Sequence, residues 1–255
     1  MSQHEDKKNT ISIITTCYNA AGTILKLIES LRGQTENDFE WVVADGASTD
    51  GTLELLHSIK DINIVISSQP DFGIYDALNR AIKISTGDFY VVAGADDFFY
   101  KDAIANFRSA IEKYRADIIV AKGMHGRYCF EVKKGPHWLY GANAFITNHS
   151  LATAFRKDLH NVFGFYSNKL PIAADALFVM QACRNGAIRN ETDFIAGEFG
   201  CEGVSVFDWV GSATEFYRVQ LITGGSFALQ TFLLLLRLLK GSSSRLKTMY
   251  NNLLR

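Results

Sequence analysis

Residues 86–100 read TGDFYVVAGADDFFY, an unbroken apolar run, FYVVA at 89–93, closely followed by the adjacent acids Asp96 and Asp97. A strand that is apolar on both faces is covered on both faces, the condition of a mostly parallel sheet flanked by helices. Working outward, ISIITTC (11–17), WVVA (41–44), NIVIS (63–67) and DIIVA (117–121) have the same character. Between them, Ile24, Leu27, Ile28 and Leu31 keep the spacing of one helix face, and Ile104, Phe107, Ile111 and Tyr114 follow a similar stripe. From Thr10 to about Val120 the chain therefore reads as an α/β unit. Beyond Gly123 the alternation stops. Gly126, Gly135, Pro136 and Gly141 separate shorter elements, and a second helical run covers Ile172 to Cys183, giving this half an α+β character.

The composition narrows the function classes. At 255 residues, 47% hydrophobic and with only 3 prolines, the chain has what a large folded domain needs and lacks the bias of a disordered one. Lys and Arg total 26 against 27 acids, and a net charge of −1 supplies no field for a nucleic-acid partner. Cys17, Cys129, Cys183 and Cys201 lack the short paired spacings of a zinc site and read as reduced thiols. The opening MSQHEDKKN has no apolar core of a secretory signal, so the expected location is cytoplasmic, in solution or at the inner face of the cytoplasmic membrane.

In an open parallel sheet, ligands bind beyond the carboxyl ends of the strands. Those positions hold Tyr18 and Asn19, Asp45 and Gly46, Pro70 and Asp71, and Asp96 and Asp97. One such Asp is readily a helix cap, as Asp50 before GTLELL is expected to be, but acids at three of four converging ends point to a shared site. The first strand is followed by CYNAAG, which is neither a dinucleotide-binding glycine fingerprint nor a P-loop. Phosphates would then be held through a divalent cation, Mn²⁺ or Mg²⁺, which needs only one or two protein carboxylates and completes its shell with diphosphate oxygens and water. Asp96 and Asp97 are the natural place for it.

SIITTCYNA (12–20), VVADGASTDGT (42–52), QPDFGIYDALNRAI (69–82) and TGDFYVVAGADDFFY (86–100) resemble, in order, the consecutive motifs of family 2 glycosyltransferases with a GT-A fold, in particular short bacterial members that build surface polysaccharides. The resemblance implies an inverting, metal-dependent enzyme that moves a sugar from a nucleoside diphosphate, by family habit UDP, to a glycan or lipid-linked oligosaccharide acceptor. It implies nucleoside contacts at Thr16, Tyr18 and Asp45, donor-site roles for Asp76 and Asp96, and a metal site formed by Asp96 and Asp97 as a variant of the Asp-x-Asp motif, with the main ligand being either of the two. Gly94 and Gly46 stand where many relatives carry acids or Asn, so the cation would rest on fewer protein ligands here. More loosely, ITNHSLATAFRKDLHNVFGFY (146–166) and IAADALFVMQA (172–182) resemble the acceptor side. There Asp175 takes the place of the catalytic base, or is a helix-terminal charge, and His149 is a diphosphate or acceptor contact, or a structural histidine. Two other functions fit a strand-end nucleotide site: a sugar-nucleotide pyrophosphorylase, and a non-catalytic nucleotide-sugar binding module.

The organisation expected is one catalytic domain over 1–225, with a donor half at about 10–122 and an acceptor half at about 123–225, and a helical extension over 226–255. From Phe216 to Arg255 there are six basic residues and no acid, so this stretch carries +6 and leaves −7 for the rest. Val219 to Leu236 is an uncharged run of 18 residues interrupted by polar side chains. It reads as an interfacial helix on a membrane, centred on Phe227 to Leu239, or as a contact with the protein's own core or a second subunit.

Overall fold

A computed structural model of the chain describes residues 9–147, 149–200 and 208–253, with side chains described as far as residue 241 in the last helix. MSQHEDKK, Cys201 and Arg255 lie outside the described residues. Strands β1 (Ile11–Cys17), β2 (Glu40–Asp45), β3 (Ile64–Ser68) and β4 (Phe89–Val92) alternate with helices α1 (Ile24–Arg32), α2 (Thr52–Ser58) and α3 (Ile74–Ile84), and β5 (Phe98–Phe99) and α4 (Ala103–Tyr114) follow. The second half contains β6 (Ile118–His125), β7 (Tyr128–Phe130), α5 (His137–Tyr140), β8 (Thr153–Arg156), α6 (Leu159–Phe163), α7 (Ala174–Arg184) and β9 (Arg189–Glu198). Two helices close the described chain, α8 (Trp209–Ile222) and α9 (Phe227–Leu253).

All the strands join one sheet in the order β3-β2-β1-β4-β8-β6-β9-β5, with β7 paired to β6. The pairs among β1 to β4 are parallel. The DIIVA strand, β6, does not lie beside β4 as simple βαβ succession would place it. Strand β8 comes back from the second half and inserts between them, antiparallel to both. The fold is thus the α/β, mostly parallel sheet expected for the donor half, continued by a mixed region that period alone could not order.

Side-chain alternation explains why both faces of the central strands are apolar. Ile11, Ile13, Trp41, Val43, Phe89 and Val91 meet α1 and α4 on one side, while Ile14, Val42, Ala44, Tyr90 and Val92 meet α3 and α7 on the other. Each large side chain buried in this way contributes roughly 1.5–3 kcal/mol. The α1 stripe is core throughout. Two expectations need correction. Tyr114, placed on the core stripe of α4, is exposed, because α4 ends there and Arg115 turns into the left-handed region at φ 48°. β3, read as covered on both faces, is an edge strand and only partly buried. Gly224, at φ 83°, and Gly225 divide the uncharged run Val219–Leu236 between α8 and α9, and α9 begins at Phe227, the start expected for the C-terminal helix. Among the described residues no helix is long and apolar enough to cross a membrane.

The start of the sheet is tied by a buried carboxylate. Ser12 donates to Glu40 at 2.6 Å, the Thr86 amide donates to the same oxygen at 2.8 Å, and the Gly87 amide donates to Ser12 Oγ at 2.9 Å. A Cβ at Gly87 would stand 2.5 Å from Ser12 Oγ and 2.7 Å from the Ser12 nitrogen, so only glycine fits. Gly87→Ala should therefore cost about 2–3 kcal/mol, from overpacking and a weakened buried hydrogen bond, measurable as a lower urea midpoint with an unchanged slope.

Candidate active site

The carboxyl ends of β1, β2 and β4 converge, and the loops beyond them are held by side chains already singled out. Asp45, at the end of β2, is fully buried. Its carboxylate accepts from the Ser48 hydroxyl, the Ser48 amide at 2.9 Å and the Ser68 hydroxyl at 2.7 Å, and the Cys17 thiol points at it. Burial pushes its pKa up, but the serine hydroxyls and the Ser48 amide outweigh that and hold it below the usual carboxylate range. Asp45 therefore braces the β1 and β2 loops, and its backbone carbonyl takes a hydrogen bond from Arg80 at 3.0 Å. Arg80 Nε and Nη1 are buried without a protein partner in this corner. Asp50 does act at a helix start, but from one residue outside the cap: it accepts from the Thr52 amide at 3.1 Å and from the Ala21 amide at 3.0 Å, joining α2 to the β1 loop.

Around this corner, Thr16 is half-buried, Tyr18 is exposed, and Asp76 sits half-exposed in the first turn of α3, accepting from the Phe72 amide at 3.3 Å. A Cβ at Gly46 would stand 2.9 Å from Asp71 Oδ2, so a side chain there would need the Asp71 carboxylate to move.

The adjacent acids have different surroundings. Asp97 is fully buried, and its two oxygens accept from the Gly94 amide at 2.7 Å and the Gly200 amide at 3.1 Å. Burial pushes its pKa up to about 7, against those two amides and with help from the charge on Asp96. Asp96 is half-exposed and lies between the same two glycines. A Cβ at Gly94 would come within 2.9 Å of its Oδ1, and one at Gly200 would land on its Oδ2. The chain thus keeps clear the space around one open carboxylate, and an acid at position 94 would crowd it. Among the described residues no three His, Cys, Asp or Glu side chains converge as a cation cage. A hard cation that takes one protein carboxylate and draws the rest of its shell from phosphate and water matches this donor set.

His149 links the acids to the second half. Its Nδ1 lies 3.8 Å from Asp97 Oδ2 and accepts, at 3.4 Å, from the Leu151 amide, and its ring stacks on Phe199 at 4.3 Å between centroids. Burial lowers its pKa to about 4, so near neutrality it is an uncharged imidazole with its proton on Nε2. The same ring lines a cavity of about 80 Å³ with Asp175, Tyr166, Thr147 and Ser150. Asp175 stands in the first turn of α7, where the Tyr75 hydroxyl lies 2.7 Å from its Oδ1 and the Ala176 amide donates to that oxygen at 2.8 Å. The surrounding protein raises the Asp175 pKa, and these two hydrogen bonds offset part of the rise.

Comparison with known proteins shows the family and the fold. The sequence model of glycosyl transferase family 2 matches residues 12–168. A PGL/p-HBAD biosynthesis glycosyltransferase of Mycobacterium tuberculosis is 28% identical over 189 residues, covering 69% of this chain and 71% of the relative. The UDP-Glc:alpha-D-GlcNAc-diphosphoundecaprenol beta-1,3-glucosyltransferase WfaP of Escherichia coli is 34% identical over 97 residues, covering 38% of this chain and 39% of the relative. The crystal structure of Staphylococcus aureus TarS 1–349 in complex with UDP-GlcNAc superposes with a TM-score of 0.67 at 23% identity, over 87% of this chain and 69% of that one, which establishes the GT-A fold.

Three residues of the site escaped the reading of the sequence: Tyr75, Gly200 and Glu215. Tyr75 lies inside a quoted motif, next to Asp76, and only its apolar bulk was legible. Glu215, on α8, is buried and accepts from the Ile172 amide at 2.9 Å and the Ala173 amide at 2.8 Å, the two donors that lead into α7. No local signal marks a carboxylate that caps a helix some 40 positions earlier. Glu215→Ala should leave both amides without an acceptor and cost about 2–4 kcal/mol in chemical denaturation, while Glu215→Gln, which keeps an acceptor oxygen, should lose less than half of that.

Proposed function

The chain belongs to glycosyl transferase family 2 and is a glycosyltransferase, and on that premise we propose that it transfers a sugar from a nucleoside diphosphate, with UDP favoured, to a hydroxyl of a glycan or lipid-linked glycan in bacterial polysaccharide synthesis, with inversion at the anomeric carbon. Family membership sets aside the pyrophosphorylase and the passive binding module. CYNAAG also lacks the basic residues that a pyrophosphorylase uses on its phosphates. The acceptor class is supported by the diphosphoundecaprenol acceptor in the name of the Escherichia coli relative, and UDP by the nucleotide bound to the TarS structure. Residues 1–225 are taken as the catalytic domain and 226–255 as its extension.

The observation that carries the mechanism is the position of His149, within 3.8 Å of Asp97 on one side and lining the cavity of Asp175 on the other. The nucleoside lies over the β1–β2 corner, against Thr16 and Tyr18, in the loop geometry that Asp45 fixes, with Asp76 on its sugar side. Asp96 would hold Mn²⁺ or Mg²⁺, which when bound would neutralise charge on the departing diphosphate. Asp97, turned inward, fixes the Asp96 loop. His149, neutral, offers its Nε2 proton to the diphosphate or the acceptor. Asp175 takes the acceptor hydroxyl proton as that oxygen bonds to the anomeric carbon, and the bond from that carbon to the diphosphate oxygen breaks with its electron pair leaving on phosphate. A pKa above the ordinary carboxylate value suits a general base near neutrality.

Asp96→Asn should weaken Mn²⁺-dependent donor binding in calorimetry and lower turnover on the order of 100-fold. Normal donor binding and turnover in this variant would put the cation elsewhere. Asp175→Asn should keep donor affinity and lose turnover by a similar factor, whereas equal loss of both would assign Asp175 to helix-terminal charge. The acidic limb of the rate profile should fall as Asp175 is protonated, at a pH above the carboxylate value of about 4. Tyr75→Phe removes a donor that favours the ionised base, so the limb should move to higher pH, with an unmoved limb counting against Asp175 as the titrating group.

A further inference from the structure

Helix α9 is inside out. Gln230, completely buried, donates to the Trp138 carbonyl at 2.7 Å, and Arg237 donates to the Leu139 carbonyl at 3.2 Å while its guanidinium sits 4.2 Å above the Phe216 ring. On α8, Gln220 donates to the His137 carbonyl at 2.6 Å. The polar side of the hairpin is thus committed inward, to three successive carbonyls of α5, of which that of His137 also accepts from the Gly141 amide. Among the described side chains, what α9 turns to solvent is apolar apart from Lys240: Phe232 is 58% exposed, Leu235 56% and Leu239 68%, one helix face by their spacing, with Phe227 and Leu236 also exposed. A soluble helix places these residues the other way round.

We propose that this face is a docking surface for an anionic lipid bilayer, in whose headgroup boundary α9 lies parallel to the plane. The argument for that occupant is charge. The stretch that carries the leucine face has six basic residues and no acid from Phe216 to Arg255, on a chain that is otherwise −7, and of the six only Arg237 is turned inward onto the Phe216 ring among those described on α9. An apolar face on a stretch with basic residues and no acid is the combination that anionic headgroups attract. A second copy of the chain would bring two such segments together and meet like-charge repulsion. The helix spans about 40 Å at 1.5 Å per residue, long enough to lie along the surface. This inference does not depend on the reading of the active site.

The test is sedimentation of the full chain with vesicles of phosphatidylglycerol and phosphatidylcholine, against pure phosphatidylcholine vesicles, at low and high salt. The intact chain should pellet with the anionic vesicles at low salt, bind the neutral ones at least about tenfold more weakly, and be released by salt. The double variant Leu235→Gln/Leu239→Gln, changed only at exposed positions, should partition about tenfold more weakly or worse while keeping the circular dichroism and donor binding of the parent. Retention of the intact chain in the supernatant, or equal binding to both vesicles, would overturn the proposal, whatever the fold of the variant. A dimer in sedimentation equilibrium that the double variant converts to monomer would assign the face to a second copy instead.

Discussion

The antiparallel insertion of β8 between β4 and β6 is the constraint on which the rest of the molecule depends. By pairing Tyr90 with Phe155 on one side and Ile119 with Ala154 on the other, it fuses a parallel donor half and a mixed second half into one sheet. The seam is fixed at its end: Arg156 bonds Asp117 at 2.9 Å and lies over the Phe89 ring, and the Lys157 amide donates to the Asp88 carbonyl. Since β4 leads directly to Asp96 and Asp97, and His149 caps the short 3₁₀ turn Ser150–Ala152 that runs into β8, the pairing brings the two within reach without a hinge. A site assembled across one continuous sheet is preorganised in the sense that matters for charge stabilisation.

Three carboxylates in this small region show how completely environment decides what an Asp does. Asp45 has hydroxyl and amide donors on both oxygens and stays ionised below the usual range. Asp97 has only two amides against its burial and titrates near 7. Asp175 has a phenol and one amide, and its pKa is raised. The same residue type thus ranges from a carboxyl held below its ordinary pKa to two held above it, with the donors aimed at it set against its burial deciding the direction.

The donor half was legible in the sequence because each of its elements is nearly self-declaring: continuous apolar strands, the 3.6-residue stripe of Ile24, Leu27, Ile28 and Leu31, and acids at strand ends. What could not be read follows from interactions that join distant positions. The partner of β8 is set by register across the sheet, not by its own four residues. Glu215 acts on amides at 172 and 173, and β3 looked central because its composition does not reveal that nothing pairs beyond it. At the C-terminus, the uncharged run was visible, but the Gly224–Gly225 break and the inward turn of Gln230 and Arg237 answer a need for hydrogen bonds located at 137–139. Sequence period assigns an apolar stripe to the core by default, and α9 departs from it because the core's demand there is polar.

The clasp of Gln220, Gln230 and Arg237 on the 137–139 carbonyls also orders the molecule in time. A ribosome delivers the chain from the N-terminus, and units fold as they emerge. The strands up to β4 can pair early, since every partner they need beyond β8 has already been made. The segment at 142–147 that walls the His149 and Asp175 cavity follows directly on those three carbonyls, and their partners are synthesised roughly 80 to 100 residues later. The nascent chain therefore completes the β1–β2 corner well before the wall of the His149 and Asp175 cavity, whose hydrogen bonds to the last hairpin close only when that hairpin has been translated.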